Sequence, residues 1–333
     1  MYYSRKPKIS VIMPSLNVEE YMEECLTSVL NQTFNDIEII CVDAGSTDDT
    51  LKIIKEHKKE DNRIKLLNSD KKSYGHQMNL GMKECRGTYI SIVETDDYIE
   101  EDMLEKLYSY SENDTVEIIK GNFNYVNDYD KDNVKIFKDD SKIKLTCYDT
   151  FKLTEQPLFI EGHPSIWAGI YLKKFLTQNN INFLEVPKGG WVDNPFFYET
   201  AIKAKKIRYI EDCVYNYRIT NPNSSSNDLG NDTLPMERIL DIYNILKENN
   251  VKDTNIIRLF YNRLFRYIEI ILENYDNNID NLNYETCSCI QNVIKLVDEN
   301  VVKYDLNNNF KRLYYKFKSP LLLSKYEGNV IYL

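Results

Sequence analysis

The first 120 residues carry short, nearly continuous apolar runs, separated by stretches with helical spacing. Lys8 to Met13 reads as a strand that Pro14 stops, because proline brings no N–H to a ladder. Asn17 reads as an N-cap, with Glu20 three residues on as in a capping box. The helix that follows sets Val18, Met22, Cys25, Leu26, Val29 and Leu30 on one face. Ile37 to Val42 is a second strand with Asp43 at its end, and Ser46, Thr47 and Asp48 offer caps for a helix through Leu51, Ile54 and Glu56. Ile64 to Leu67 is a third strand, Gly75 to Cys85 a helix, and Thr88 to Val93 a fourth strand running into Glu94-Thr95-Asp96-Asp97. A helix near 101–110 and a strand at 116–120 complete the series. Apolar strands that alternate with helices predict an α/β fold with a parallel sheet covered on both faces, and ligands then bind at the strands' carboxyl ends. Residues 126–150 are charged and irregular and read as a hairpin or rim loop. From Leu234 the pattern is helical, with Pro235 suited to a first turn and Ile256, Phe260, Leu264, Tyr267 and Ile271 at helical spacing.

Composition narrows the function classes. With 42 Lys+Arg against 52 Asp+Glu, the net charge of −10 disfavours a sequence-independent nucleic-acid binder, which needs many phosphate-neutralising cations. No apolar run approaches the roughly 18 residues of a membrane span, and Met1 to Lys8 lacks the apolar core of a signal peptide. The expected compartment is the cytoplasm. Seven cysteines, an odd number, fit reduced thiols; Cys25, Cys41 and Cys85 fall within apolar-periodic stretches, and Cys287-Ser288-Cys289 has no second Cys/His pair nearby to make a zinc site.

The chemistry lies where polar groups meet the strand ends. Adjacent Asp96 and Asp97 after a buried strand ask for a positive partner, and a divalent cation holding a diphosphate supplies one; the alternative is acids favouring the next helix's N-terminus. Asp43 precedes Gly45, whose freedom permits a sharp turn, and can accept from a base N–H or a ribose hydroxyl. Asp193 follows Gly189-Gly190-Trp191, where partial desolvation beside an indole would raise its basicity; the alternative is a cap on an Asn194–Ala204 helix. His163 lies near Trp167 in Glu161 to Trp167, where a structural histidine is as good a reading as a binding one. Ser224 to Ser226 could serve as a lid. Residues 310–323 are basic and aromatic, and fit either an anionic bilayer surface or an amphipathic helix docked on the body.

Taken together these segments resemble glycosyltransferase family 2, inverting nucleotide-sugar transferases with the GT-A fold. The resemblance rests on Ile9 to Glu19, Cys25 to Thr33, Val42 to Asp48, Gly75 to Gly81, Gly87 to Ile90, Glu94 to Tyr98 and Trp191 to Phe196, in order and spacing over roughly residues 8–220. It implies a Rossmann-like, mostly parallel sheet flanked by helices and a C-terminal helical extension. The implied division is 1–225 for the GT-A domain (8–120 for the nucleotide-sugar half, 121–225 for the acceptor half) and 226–333 for the helical region. Pro14, Ser15, Asn17, Glu19, Asp43, Gly45, Lys72, His76, Asn79 and Asp96 are implied to bind the nucleotide sugar, and Asp96 and Asp97 the Mn²⁺ or Mg²⁺. Asp193 is implied as the general base, and His163, Trp167 and Trp191 as lining an acceptor pocket, since aromatic faces pack on sugar C–H surfaces. The implied partners are a UDP-sugar and a glycan or lipid-linked acceptor of capsule or surface polysaccharide. Four positions depart from the family: Ala44, Met78 where Arg is common, Val192 before the base, and Glu94, longer by a methylene, as first acid of the DxD-type group. The rivals are a sugar nucleotidyltransferase, which wants a Gly-rich basic loop after strand one, and a glycan-binding or scaffolding protein with a degenerate site.

Overall fold

β1 (Ile9–Ser15) and β2 (Ile37–Asp43) are buried at every position, which is why both read as unbroken apolar runs. They pair in parallel, with β3 (Ile64–Asn68) outside β2 and β4 (Tyr89–Ile92) on the other side of β1. The computed structural model describes residues 6–139, 145–222, 232–319 and 322–323, so the Ser224–Ser226 lid lies outside the described residues. Pro14 does not end β1. Pairing with β4 stops at Ile12, so the missing N–H of Pro14 falls where that ladder has already ended, and the strand continues to Ser15 beside Asp43.

Beyond β4 the sheet becomes mixed. Among the described residues its order is β3-β2-β1-β4-β9-β6-β10-β5, with β5 (Tyr98–Ile99), β6 (Ile118–Asn127), β9 (Gly169–Leu172) and β10 (Ile207–Arg218). The next long strand in the chain after β4, β6, does not pair with it. Instead β9, from farther along the chain, lies antiparallel between β4 and β6. Close approach explains part of this: a Cβ on Gly169 would sit 2.7 Å from the Ile119 carbonyl oxygen, so only glycine fits. β7 (Lys135–Lys138) forms the expected hairpin with β6, and β8 (Thr150–Phe151) pairs with β10.

The helices of this unit are α1 (Glu19–Leu30), α2 (Thr50–Glu60), α3 (Tyr74–Glu84), α4 (Met103–Ser109), α5 (Lys173–Gln178) and α6 (Asp193–Lys203). Met22, Cys25, Leu26 and Val29 are the buried face of α1. Its N-terminus corrects the capping-box expectation. Asn17 sits at φ +52°, two residues ahead of the helix, and its carboxamide oxygen accepts from Thr47 N–H at 2.8 Å. The first amides of α1 are answered from the α2 loop instead: Val18 N–H donates to Thr50 Oγ1 (2.8 Å) and Glu19 N–H to Asp48 Oδ2 (3.1 Å). Asp48 also accepts from Thr50 N–H (3.1 Å), so one carboxylate serves both helix starts.

The chain divides into two units: residues 1–156 with 164–227, and residues 157–163 with 228–333. The second is helical, built from α7 (Leu234–Glu248), α8 (Thr254–Glu273), α9 (Tyr284–Ile294), α10 (Glu299–Asp305) and α11 (Asn308–Lys318). Ile256, Phe260, Leu264, Tyr267 and Ile271 are all buried, as their spacing predicts. Arg263 of α8, also buried, donates to the carbonyls of Ile160 (3.0 Å) and Glu161 (3.3 Å), which ties the 157–163 segment to this unit. The apolar face of α11 is spent inside the unit: Phe310, Leu313, Tyr314 and Phe317 are buried, and Phe310 stacks on Phe265 at 5.4 Å. Arg312, Lys316 and Lys318 stay exposed, with Lys318 paired to Glu299. Among the described residues no helix is long and apolar enough to cross a membrane.

Candidate active site

The carboxyl ends of β1 and β2 form the first corner. Asp43 is buried, and its Oδ2 accepts from Gly45 N–H (2.8 Å) and Ser46 N–H (3.0 Å) while Ser46 Oγ donates to Oδ1. Gly45 has φ +84° with no heavy atom near its Cβ position, so the turn needs glycine for conformation and not for room. Gln77 of α3 donates to the carbonyls of Ser15 (2.9 Å) and Val42 (2.7 Å), locking the two strand ends together. Pro14 O accepts from Thr95 Oγ1 at 2.8 Å, which joins this corner to the acidic segment. Asn17, Glu19 and Gly45 are exposed at its mouth, and Glu19 Oε2 accepts from Asp49 N–H (2.6 Å).

The acids after β4 fall into different environments. Asp97 is buried; Oδ1 accepts from Arg218 N–H (2.8 Å) and Oδ2 from Tyr215 O–H (2.9 Å). Burial, then neighbouring Asp96, raises its pKa well above the usual carboxylate range. Asp96 is half-buried, and its Oδ2 accepts from Asn221 Nδ2 at 2.8 Å. Glu94 accepts from Tyr74 O–H at 2.5 Å; burial, with Asp96 and Asp193 nearby, pushes it up to about 8, and the Tyr74 hydrogen bond acts the other way. The only buried cation touching this segment among the described residues is Arg218, whose guanidinium donates to Asp96 O at 2.5 Å and is shared with Asp128 and Glu24, both at 2.6 Å. The carboxylates therefore repel one another with little compensation.

Asp193 is the first residue of α6 and half-buried. Its influence on Glu94 and on Tyr74 brings it to the acidic segment, a meeting of positions about 100 residues apart in sequence. Val192, not Asp193, occupies the N-cap position, and no side chain caps α6 there. The loop before it carries positive φ at Lys188 (58°), Gly190 (60°) and Trp191 (54°). It is held to the start of α3 by Tyr74 N–H to Lys188 O (2.9 Å) and Lys188 N–H to Lys72 O (3.0 Å).

Comparison with known proteins identifies this arrangement. Residues 10–164 match the family model described as Glycosyl transferase family 2. That segment, a little under half of the chain, is similar to glycosyltransferase family 2. It is 30% identical over 221 residues to the uncharacterized glycosyltransferase EpsJ of Bacillus subtilis, covering 66% of this chain and 62% of that protein. It is 31% identical over 216 residues to the poly(ribitol-phosphate) beta-glucosyltransferase of Bacillus spizizenii, covering 64% of this chain and 32% of that one. Matches to the first curated relatives span between 30% and 62% of their lengths. The crystal structure of S. aureus TarS 1-349 in complex with UDP-GlcNAc superposes with a TM-score of 0.77 at 20% identity, over 98% of this chain and 93% of that one, so the fold is GT-A.

Several of the residues expected at the site have partners within the chain. Asp97, expected to ligate the metal, has both oxygens engaged by Arg218 and Tyr215, and Asp96 is the acid left at the surface of the site. His76 and Asn79, expected at the diphosphate, are committed elsewhere. Asn79 exchanges hydrogen bonds with the Phe183 backbone (2.9 Å each), and the His76 ring lies between Asp70 (3.0 Å) and Glu185 (2.9 Å). Lys71, His76 and Asn79 together hold Glu185 down to about 2, so it makes a poor base. Lys72 is exposed. Trp167, expected on an acceptor surface, is buried and stacked on Tyr215 (4.2 Å) and Tyr217 (5.3 Å). Trp191 is half-buried in the loop before Asp193, and His163 is exposed at the end of the 157–163 segment of the helical unit.

Sequence reasoning gave no contact to Tyr74 or Gln77, and placed Tyr215 and Arg218 on a strand leading into the 223–226 loop without giving either a partner. Each lies on a helix or strand whose pattern reads as structural, and nothing local marks a side chain whose partner is 20 or more residues away.

Proposed function

We propose that this chain transfers a sugar from a UDP-sugar to a hydroxyl of a surface-polysaccharide or lipid-linked acceptor, inverting the anomeric centre. The observation that carries the reading is the convergence of Asp43, the Glu94–Asp97 segment and Asp193 on the carboxyl edge of one sheet. Asp43, oriented by Gly45 and Ser46, would receive the base or ribose. Among the described residues no three His, Cys, Asp or Glu side chains converge tightly enough to hold a metal ion by themselves. That fits a Mn²⁺ or Mg²⁺ held by Asp96 and completed by donor diphosphate oxygens, in a site whose carboxylates lack compensation. Such a cation would stabilise charge on the leaving diphosphate. Asp193 would take the acceptor hydroxyl's proton as its oxygen attacks from the face opposite the diphosphate. The complexes of TarS with UDP-GlcNAc, and the polymer acceptor in the name of the poly(ribitol-phosphate) relative, support these donor and acceptor classes. Exposed Arg312, Lys316 and Lys318 would supply any contact with an anionic bilayer on the cytoplasmic face.

Isothermal titration with UDP, with and without Mn²⁺, tests the reading. Metal-dependent binding is expected, and its absence would favour a scaffold. NMR of the product anomer, once a donor is found by screening UDP-sugar hydrolysis, tests inversion.

A further inference from the structure

Tyr74 touches two parts of the site through different atoms. Its hydroxyl donates to Glu94 Oε1 at 2.5 Å. Its backbone N–H donates to Lys188 O at 2.9 Å, in the loop that reaches Asp193 five residues later. The ring packs edge-on against Phe183, centroids 5.9 Å apart, and Phe183 is itself pinned by Asn79. Glu94 needs its full length for this contact: an aspartate on the same backbone would fall about one carbon–carbon bond short, roughly 1.5 Å. Without the hydroxyl, Glu94 would sit among Asp96 and Asp193 with only like charge to orient it.

We propose that Tyr74 is a positioning residue: its hydroxyl holds Glu94 in one rotamer beside Asp193, so that the donor-side acid and the base-bearing loop take their register from a single residue. This rests on the sugar-transfer reading of the site. Tyr74 and Glu94 then form a matched pair, and the longer acid at the first position of the Glu94-Thr95-Asp96 group is explained by the hydroxyl it reaches. Tyr74 contributes no proton to the reaction; it remains a donor, since burial and the adjacent Glu94 raise its pKa well above the usual phenol range.

Tyr74→Phe keeps the ring and its Phe183 contact and removes one donor, so the variant is expected to fold. Its melting temperature serves as the control. The probe is UDP, titrated calorimetrically with and without MnCl₂. Metal-free UDP affinity should match wild type, because the Asp43 corner is untouched. The gain in affinity on adding Mn²⁺ should fall about 10-fold, the scale of one lost hydrogen bond. Glu94→Asp should lose a similar factor, and Tyr74→Phe/Glu94→Asp no more than either alone, because each change removes the same contact. A merely structural tyrosine would shift the melting temperature and leave the metal-dependent gain intact. Additive losses in the double variant, or a wild-type gain in Tyr74→Phe, would overturn the pairing. Failure of the wild-type chain to bind UDP in Mn²⁺ would instead overturn the sugar-transfer reading beneath it, so the two failures are told apart by the wild-type titration.

Discussion

The floor and the rim of the sheet edge use the same residue type for different ends. On the floor, Asp43 and Asp97 are buried, and hydrogen bonds from Gly45, Ser46, Tyr215 and Arg218 answer both oxygens of each. On the rim, Asp96 and Asp193 are half-buried at the start or end of a loop. Asp97, with a hydrogen bond on each oxygen, holds backbone in place, whereas Asp96 and Asp193 lie nearer solvent and accept from Asn221 (2.8 Å) and Asn194 (3.2 Å). Adjacent aspartates in the sequence, Asp96 and Asp97, fall on opposite sides of this division because the chain turns there, with Asp97 N–H donating to Glu94 O at 3.1 Å, which leaves Asp97 buried and Asp96 half-buried.

Substitution can break that comparison. The largest effect is expected at Asp193. Asp193→Asn keeps the size and cannot accept a proton, so transfer should fall roughly 10²–10⁴-fold, in kcat, with UDP affinity retained. Near-normal transfer would remove Asp193 as the base. Next comes the contrast between neighbours. Asp96→Asn should abolish the Mn²⁺-dependent gain in UDP affinity and leave thermal stability unchanged. Asp97→Asn should do the reverse in stability: an amide cannot accept from both Arg218 N–H and Tyr215 O–H as well as a carboxylate does. A cost of about 1–3 kcal/mol corresponds to a melting temperature lower by about 2–12 °C. Equal melting temperatures for the two variants would erase the floor–rim distinction.

A smaller effect sharpens the same contrast with a cation. Lys120 is buried in β6 and donates to Pro164 O (2.8 Å) and Ser165 O (2.5 Å); burial lowers its pKa to about 7. Between pH 7 and the ordinary lysine value the unfolded chain binds more protons than the folded one, so this group makes stability rise with pH in that window and contributes no slope below it. Lys120→Met should lower the melting temperature and flatten its rise between pH 7 and 9.5 relative to wild type; an unchanged slope would mean Lys120 stays charged. The smallest effect is expected in the tail. Reversing Arg312, Lys316 and Lys318 should leave folding intact, because the docked face is Phe310, Leu313, Tyr314 and Phe317. Any sedimentation with anionic liposomes should be lost, and sedimentation that survives would assign membrane contact elsewhere.

Legibility followed the range of the contacts. β1 to β4, their helices and the helical face of α8 were readable because each is a local pattern facing a core. The order β4-β9-β6 was not, since it depends on which distant strand fills the space beside β4. At the site, Asp43, Asp96 and Asp193 were legible from strand ends and motif spacing. The intrachain partners of Asn17, Asp97, His76, Asn79 and Trp167 were not, because a polar or aromatic residue near a strand end has many partners within reach and only the packed chain selects one.

Local pattern was enough for the α/β succession over the first 120 residues and for the edge on which acids collect, since periodicity and strand-end chemistry are local properties of the chain. Tertiary structure decided which acids are structural and which are presented, inserted β9 into the sheet, moved the cap of α1 to Asp48, and brought Tyr74, Glu94 and Asp193 together. Those outcomes depend on hydrogen bonds between groups tens to more than a hundred residues apart, and such partners exist only once the sheet has assembled.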